Sequence, residues 1–460
     1  VNIHAFERWL GDYGIRHGLR HRKVSEEMRA ERVAVIGAGP AGLSCAFQLA
    51  RHGYPVTVFE ANAQAGGMLR YGIPAYKLPR AVLDAEIGAI KEMGVEIVCQ
   101  SVIGQERGLA DLKEEFSAIF IGIGAHGALK LGLAGEECAN VISGARFLRL
   151  VHGGSLPEVG RQVLVVGGGD SSISAARVAR RLGAEVTIVY RRSRAEMPAI
   201  EQEITAAEAE GVEILYLVAP LALEVEEGRV VAVECQRMEL GAPDASGRRQ
   251  PLAIVGATFR KECTMLIPAI GQRPQWRDVQ PYVGEANWLQ PDDDMALADN
   301  IYSGGDTLGL RLVTNAIGEG RRAAEGIMAR LQGETGRGQV REQPVVGPGQ
   351  LRLEYYERRE PNRGACLPVD QRLAGGLDLE LDRGLSQEQF QAEAQRCMSC
   401  GLCFECRQCL IFCPQLAISE DPQRPIGEVM STDYNRCVGC HICAQSCPCA
   451  FIQMGMGEGL

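Results

Sequence analysis

The feature that most constrains this chain of 460 residues lies near its end, where cysteines recur at fixed intervals. One run reads Cys397-Met-Ser-Cys400-Gly-Leu-Cys403-Phe-Glu-Cys406-Arg-Gln-Cys409-Leu-Ile-Phe-Cys413-Pro414. A second reads Cys437-Val-Gly-Cys440-His-Ile-Cys443-Ala-Gln-Ser-Cys447-Pro448. Each contains C-x2-C-x2-C-x3-C-P. At this spacing three nearby thiolates wrap three irons of a [4Fe–4S] cubane, and the fourth cysteine reaches across to the other cluster. Cys403, Cys406, Cys409 and Cys447 are therefore expected to hold one cluster, and Cys437, Cys440, Cys443 and Cys413 the other. Cys397, Cys400 and Cys449 are surplus to these ligands and are expected to be buried thiols rather than alternative ligands.

Competing uses of the cysteines fit less well. A disulfide framework belongs to an oxidising compartment, and no signal peptide is visible. Zinc usually takes two C-x2-C pairs, not two consecutive C-x2-C-x2-C runs each followed by Cys-Pro. The spacing is that of a bacterial two-cluster ferredoxin, so a small α+β domain is expected over 396–460. Length suggests about three domains. The 55 glycines and 46% hydrophobic content fit an α/β protein rich in tight turns. A net charge of −10 with both signs interspersed argues against a nucleic-acid role. No apolar run approaches the roughly 18 residues of a membrane span. Cubane ligands and free thiols imply a reducing compartment, which places the protein in the cytoplasm.

Upstream, residues 1–30 combine Phe6, Trp9, Leu10, Tyr13 and Ile15 with many charges, the pattern of an amphipathic helical arm. Val33–Ile36 then reads as a buried parallel strand, followed by Gly37-Ala-Gly39-Pro40-Ala41-Gly42, a helical run to Arg51, and a second strand Val56–Phe59 ending on Glu60. Gly37 allows the tight turn, Gly39 lets backbone close on a pyrophosphate, and Gly42 lets helix pack on strand. The phosphates meet the helix N-terminus, and Glu60 accepts from a ribose.

A second fingerprint follows: strand Val163–Val166, turn Gly167-Gly-Gly169-Asp170-Ser171-Ser172, helix to Leu182, strand Val186–Val189. Where Glu60 stood in the first copy, this one has Tyr190-Arg191-Arg192-Ser193-Arg194. Arginines there accommodate a 2′-phosphate, which tips the cofactor toward NADP over NAD. The first fold is expected to return at Ile301–Asp306, a strand ending in Gly304-Gly305-Asp306. The run from Leu312 to Arg321, with Thr314 and Ala316, opens the next helix. Asp306 can take a flavin's ribityl hydroxyl. Phe120–Gly124 and Ala269-Ile-Gly271 read as crossings between the two folds.

From residue 1 to about 335 the sequence resembles the small subunit of glutamate synthase and its relatives, within the pyridine nucleotide–disulfide reductase superfamily. The matching stretches are Gly37–Gly42, Glu60, Gly66-Gly67-Met68-Leu69-Arg-Tyr-Gly-Ile-Pro74, Lys77-Leu-Pro79, Gly167–Asp170, Tyr190–Arg192, Glu196-Met-Pro198, Gly304–Asp306 and Ala316…Arg321. The resemblance implies FAD in the first fold, with Gly67, Met68, Leu69, Gly124, Gly271, Gly305, Asp306, Thr314 and Ala316 among its contacts, and NAD(P)H in the second. It gives two interleaved Rossmann-like domains: FAD over 31–125 and 271–335, NAD(P)H over 126–270, then a linker over 336–395. No catalytic side chain is expected, because hydride transfer between stacked rings needs placement more than acid or base. One departure is that no C-x2-C precedes Cys397, which removes a redox dithiol. Another is that the chain starts just past where the cysteine-rich domain of many relatives would end.

The cysteine-rich tail resembles those of relatives such as the flavin subunit of phenylglyoxylate dehydrogenase-type complexes. The implied function is an FAD and iron–sulfur subunit exchanging electrons between NAD(P)(H) and an iron–sulfur partner. The partner classes are a thiamine-dependent 2-oxoacid oxidoreductase, a sulfur-metabolism system, or the glutamate synthase large subunit. A bare relay with vestigial nucleotide folds is the non-enzymatic alternative, against which the intact fingerprints speak.

Overall fold

Val33–Ile36 is buried along its whole length because parallel strands take neighbours on both edges and helices on both faces. In the computed structural model, which describes all residues except 106, 245–246, 285, 335–345, 355, 398–401, 425–428 and 455–460, it sits inside a six-stranded sheet. The order is Ala296–Ala298, Ile301–Ser303, Ala118–Ile121, Val33–Ile36, Val56–Glu60, Glu96–Cys99, with only the first strand antiparallel. The register aligns Ile36 with Phe59 and Ile121, and Ile121 with Ser303. Their C-terminal ends therefore deliver the turns at Gly37, Glu60, Gly122 and Gly304 to one edge.

A second parallel sheet runs Met265–Pro268, Gln162–Val166, Glu185–Tyr190, Glu213–Tyr216. Val166 aligns with Val189 and with Pro268, so Gly167, Tyr190 and Ala269 share its C-terminal edge. A three-stranded antiparallel sheet (Val218–Glu226, Arg229–Pro243, Arg249–Glu262) is inserted in the chain between Glu213–Tyr216 and Met265–Pro268. The crossings pair with one another: Gly127–Ala128 and Gln272–Arg273 form a short antiparallel ribbon. The fold class is as the sequence implies, two interleaved Rossmann-like domains with a small cysteine-rich α+β domain.

Residues 14–338 and 366–382 form one compact unit, and residues 1–13, 339–365 and 383–460 another. The span expected as a linker is thus shared. Residues 366–382 return to the larger unit, where Leu381 N donates to Tyr76 O. Helix Gln387–Gln395 belongs to the smaller unit, and Phe390 gives the physical reason: it stacks on Phe6 at 4.4 Å and on Trp9 at 3.8 Å between ring centroids. Those rings lie on helix Ile3–Arg16, the ordered helical part of the expected arm. Among the described residues no helix is long and apolar enough to cross a membrane.

Candidate functional site

One cavity of ≈ 1400 Å³ is lined by both glycine turns, both strand ends and both crossings. Around its half beside the six-stranded sheet, Gly37 (φ +102°) occupies a conformation open to glycine, and a Cβ there would overlap the Gly122 carbonyl. Gly39 faces open space, a Cβ meeting only Gly67 Cα at 4.0 Å. Helix Pro40–Arg51 starts there with no side chain capping its N-terminal amides. Such a bare helix start beside a glycine fits a pyrophosphate. Gly39, Pro40, Ala41, Gly67 and Met68 all line the cavity.

Glu60 is buried and also lines the cavity. Its Oε2 accepts from Ala38 N (2.8 Å), and Oε1 accepts from Asn62 N (2.8 Å) and Asn62 Nδ2 (2.6 Å). A carboxylate offers about four acceptor positions, so one is left for a ribose hydroxyl. The acid therefore shapes the turn as well as facing the ligand space.

On the opposite side, Gly305 N donates to Glu319 Oε2 (2.7 Å), and Glu319 Oε1 pairs with Arg311 (2.8 Å). This buried acid holds the Gly304-Gly305-Asp306 turn against helix Val313–Leu331. Asp306 accepts from Arg311 N (3.3 Å), and burial raises its carboxyl above the usual range. Gly305, Asp306 and Ala316 line the cavity. Gly320 brings this helix onto the first: a Cβ there would overlap the Ala41 carbonyl.

The half beside the four-stranded sheet is built the same way. Nothing lies within 4 Å of a Cβ placed on Gly169, and helix Asp170–Arg181 has no side-chain cap. Asp170 Oδ1 instead accepts from Ile200 N (3.1 Å). Gly167, Gly169, Asp170, Ser171, Arg191, Arg192, Gly124 and Gly271 line the same cavity. Three of the expected contacts do not. Gly42 packs under its turn, where a Cβ would overlap the Gly37 carbonyl. Leu69 packs on the core, and Thr314 is exposed.

The structure adds residues the motifs do not mark. Asn62, Arg149 and Arg248 line the cavity, and Glu319 braces the Gly305 turn behind it. His126 follows the Gly122–Gly124 crossing and lines the cavity. Among the described residues its buried Nδ1 has no hydrogen-bond partner. Burial, reinforced by Arg149, pushes its pKa down to about 4, so the ring is neutral at ordinary pH.

In the cysteine domain, Cys413, Cys437, Cys440 and Cys443 line one small cavity with Pro414 and Val438. Ala417 N donates to Cys413 Sγ (3.3 Å), a bond that lowers this thiol's pKa and favours a thiolate. In the other set, burial pushes Cys409 up to about 11, with Cys406, Cys403 and Cys447 adding to it as near neighbours. Among the described residues no three His, Cys, Asp or Glu converge on a single metal ion. Four thiols spaced around a void are the arrangement a multi-iron cluster requires. Cys449 is buried, its Sγ 3.7 Å from Cys447 Sγ, and Cys397 is half-buried. Cys400 lies outside the described residues.

Residues 31–320 match the family described as pyridine nucleotide-disulphide oxidoreductase, and residues 402–451 match the 4Fe-4S dicluster domain. The chain is 38% identical over 436 residues to the NADP(+)-dependent formate dehydrogenase subunit beta of Moorella thermoacetica, covering 86% of this chain and 61% of that one. It is 35% identical over 443 residues to the NADPH-Fe(3+) oxidoreductase subunit beta of Geobacter sulfurreducens, covering 87% and 66%. It therefore spans less than two thirds of either relative's length. With the glutamate synthase [NADPH] small chain of Escherichia coli it shares 34% identity over 355 residues, 72% of this chain and 75% of that one. Among solved structures, Mycobacterium tuberculosis FprA in complex with NADPH is similar in fold, at TM-score 0.58 and 16% identity over 66% of this chain and 85% of that one.

Proposed function

The chain belongs to the pyridine nucleotide-disulphide oxidoreductase family, with FAD and NAD(P)H as cofactors and two [4Fe–4S] clusters in its C-terminal domain, and on that premise we propose that it is the NADP(H)-linked electron-transfer subunit of a larger redox complex. Flavin and clusters supply the redox chemistry when bound, exchanging paired electrons with nicotinamide as hydride and single electrons through iron. The chain's own residues bind and orient. The bare helix starts at Gly39 and Gly169 receive phosphates, Glu60 and Asp306 accept hydroxyls, and neutral His126 offers a ring nitrogen at the crossing.

The observation that carries this reading is the single cavity lined by both fingerprints, which lets two ring systems meet in one space. With no C-x2-C before Cys397, a dithiol is not the electrons' next station, and the C-terminal cysteines are. The partner is defined by its chemistry: a subunit exchanging single electrons through iron–sulfur clusters, the 2-oxoacid oxidoreductase class among them. The two beta subunits align with 86% and 87% of this chain and the glutamate synthase small chain with 72%, which favours a partner other than the glutamate synthase large subunit.

Anaerobic mixing of the purified protein with NADPH tests the reading. Flavin absorbance is expected to bleach, followed by that of the iron–sulfur clusters. Arg191→Ala should raise the NADPH concentration required and change the NADH requirement little. A chain that bleaches with neither nucleotide is a relay with vestigial folds. Equal effects on both nucleotides would remove the NADP preference.

A further inference from the structure

The run Arg191-Arg192-Ser193-Arg194 offers three guanidinium groups where the nucleotide's second ribose belongs, yet two of them are taken up within the protein. Arg194 pairs with Glu201 (2.6 Å) and Glu208 (2.6 Å) and does not line the cavity. Arg192 is buried, its Nη2 donating to Asp244 Oδ2 (2.7 Å) and its Nε to Arg249 O (2.7 Å). Asp244 and Arg249 lie at the tip of the long antiparallel hairpin, where Asp244 N donates to Arg248 O (2.7 Å) and Gly247 N to Asp244 O (2.8 Å).

The hairpin strands Arg229–Pro243 and Arg249–Glu262 are not part of the parallel nucleotide sheet, yet their tip reaches the cavity. Register shifts at Gln236/Met238 and Leu240/Pro243 bend the pair. Gln236 Nε2 holds the first bend by donating to Ile254 O (2.6 Å) and Ala257 O (3.1 Å). Leu217 N donates to Arg192 O (3.1 Å) and Met238 N to Leu217 O (2.8 Å), which stitches the hairpin to the arginine loop. As a result Arg248, 57 positions beyond Arg191, lines the same cavity as Arg191 and Gly167–Ser171.

We propose that Arg248, delivered by the hairpin turn, is the second cation of the 2′-phosphate site beside Arg191, and that Arg192 is a positioning residue whose pairing with Asp244 fastens the turn in place. This rests on the reading that the second fold binds NADP(H). A phosphate monoester carries a charge of about −1.5 to −2 at neutral pH and several acceptor oxygens, which suits two guanidinium groups lining one cavity. A nucleotide without that phosphate gains nothing from Arg248.

The test is calorimetric binding of 2′,5′-ADP and 5′-ADP to the full flavin- and cluster-loaded protein. Neither ligand carries nicotinamide, so no turnover is involved. Wild type should prefer 2′,5′-ADP. Arg248→Ala should weaken 2′,5′-ADP by about tenfold or more, the size of one charge-assisted hydrogen bond, and leave 5′-ADP nearly unchanged. Arg248→Lys should restore part of the loss. Asp244→Asn separates the two roles of Arg192. If Arg192 fastens the turn, its release weakens 2′,5′-ADP selectively. If Arg192 itself grips the phosphate, release from Asp244 strengthens binding or leaves it unchanged, and the proposal is overturned. An unaffected Arg248→Ala overturns it too. A wild type that does not distinguish the ligands overturns the NADP reading first, and this inference with it.

Discussion

At the scale of single residues the binding cavity is shaped by acids that serve backbone amides. Glu60 spends three acceptor positions on Ala38 and Asn62 and keeps the remaining one toward the cavity. Glu60→Gln leaves the shape almost unchanged but turns one oxygen into an N–H donor. Whichever way that amide flips, it faces the N–H of Ala38 or of Asn62. A buried donor opposed in this way costs about 1–3 kcal/mol. The expected outcome is a folded protein purified with well under one flavin per chain, read from the ratio of flavin to protein absorbance. Full flavin content in Glu60→Gln would mean the turn does not depend on the carboxylate. Glu60 and Asp306 were legible in the sequence, because one ends a strand and the other follows one at the positions where such folds put an acid. Glu319 was not. It sits inside a helix with no spacing signal, and only the packing of that helix on Gly305 gives it a role. Arg192 was legible as a cation but not as a tether, since its partner Asp244 lies 52 positions away.

At the scale of elements the legible parts were those whose pattern is local: strand, glycine turn and helix in both folds, and the cysteine runs. The tip of the inserted hairpin was not legible, because register shifts and the side chain of Gln236 decide where it points. The N-terminal helix was visible as an amphipathic pattern, while its aromatic partner Phe390 could be found only in three dimensions. The helix that carries Phe390 also carries the fully buried Glu393, which accepts from Asn2 N (2.7 Å), Asn362 N (2.9 Å) and Arg396 Nη2 (2.7 Å). Burial alone would raise its pKa, but the bonds from Asn362, Asn2 and Arg396 prevail and hold it at about 2. The folded value lies below the ordinary 4.5, so its contribution is complete above that pH. It fades as pH falls from there toward 2, by up to about 3 kcal/mol. Thermal unfolding of wild type and Glu393→Gln between pH 6 and 3 checks this. The variant should melt lower at pH 6, and the gap should close as wild type loses its advantage on acidification. A gap that stays constant with pH would deny the carboxylate this role.

At the scale of the whole molecule the cysteine domain repeats itself with an offset of 34 residues, which carries Cys403, Cys406, Cys409 and Cys413 onto Cys437, Cys440, Cys443 and Cys447. The backbone repeats with it. Glu405 and Arg407 adopt φ of 61° and 62°, matched by Gly439 at 67° and His441 at 63°, and Leu416 at 51° is matched by Ala450 at 53°. Left-handed conformations at non-glycine residues cost about 1–2 kcal/mol each. Their recurrence at equivalent points suits loops shaped around a ligand rather than by their own preferences. In the first repeat the last cysteine, Cys413, lies with Cys437, Cys440 and Cys443 of the second, so the two motifs are expected to exchange their fourth ligands. Substitutions far apart in sequence should then be equivalent in effect. Cys413→Ser and Cys440→Ser should each disturb the same cluster, lowering iron from about eight toward four per chain. Both should leave the same surviving signal in the electron paramagnetic resonance spectrum of the reduced protein. Cys409→Ser and Cys447→Ser should pair with each other and leave the other signal. Flavin bleaching by NADPH should persist in all four variants, since no cluster cysteine lines the nucleotide cavity. If Cys413→Ser instead shares its spectrum with Cys409→Ser, each motif holds its own cluster and the exchange of ligands does not occur.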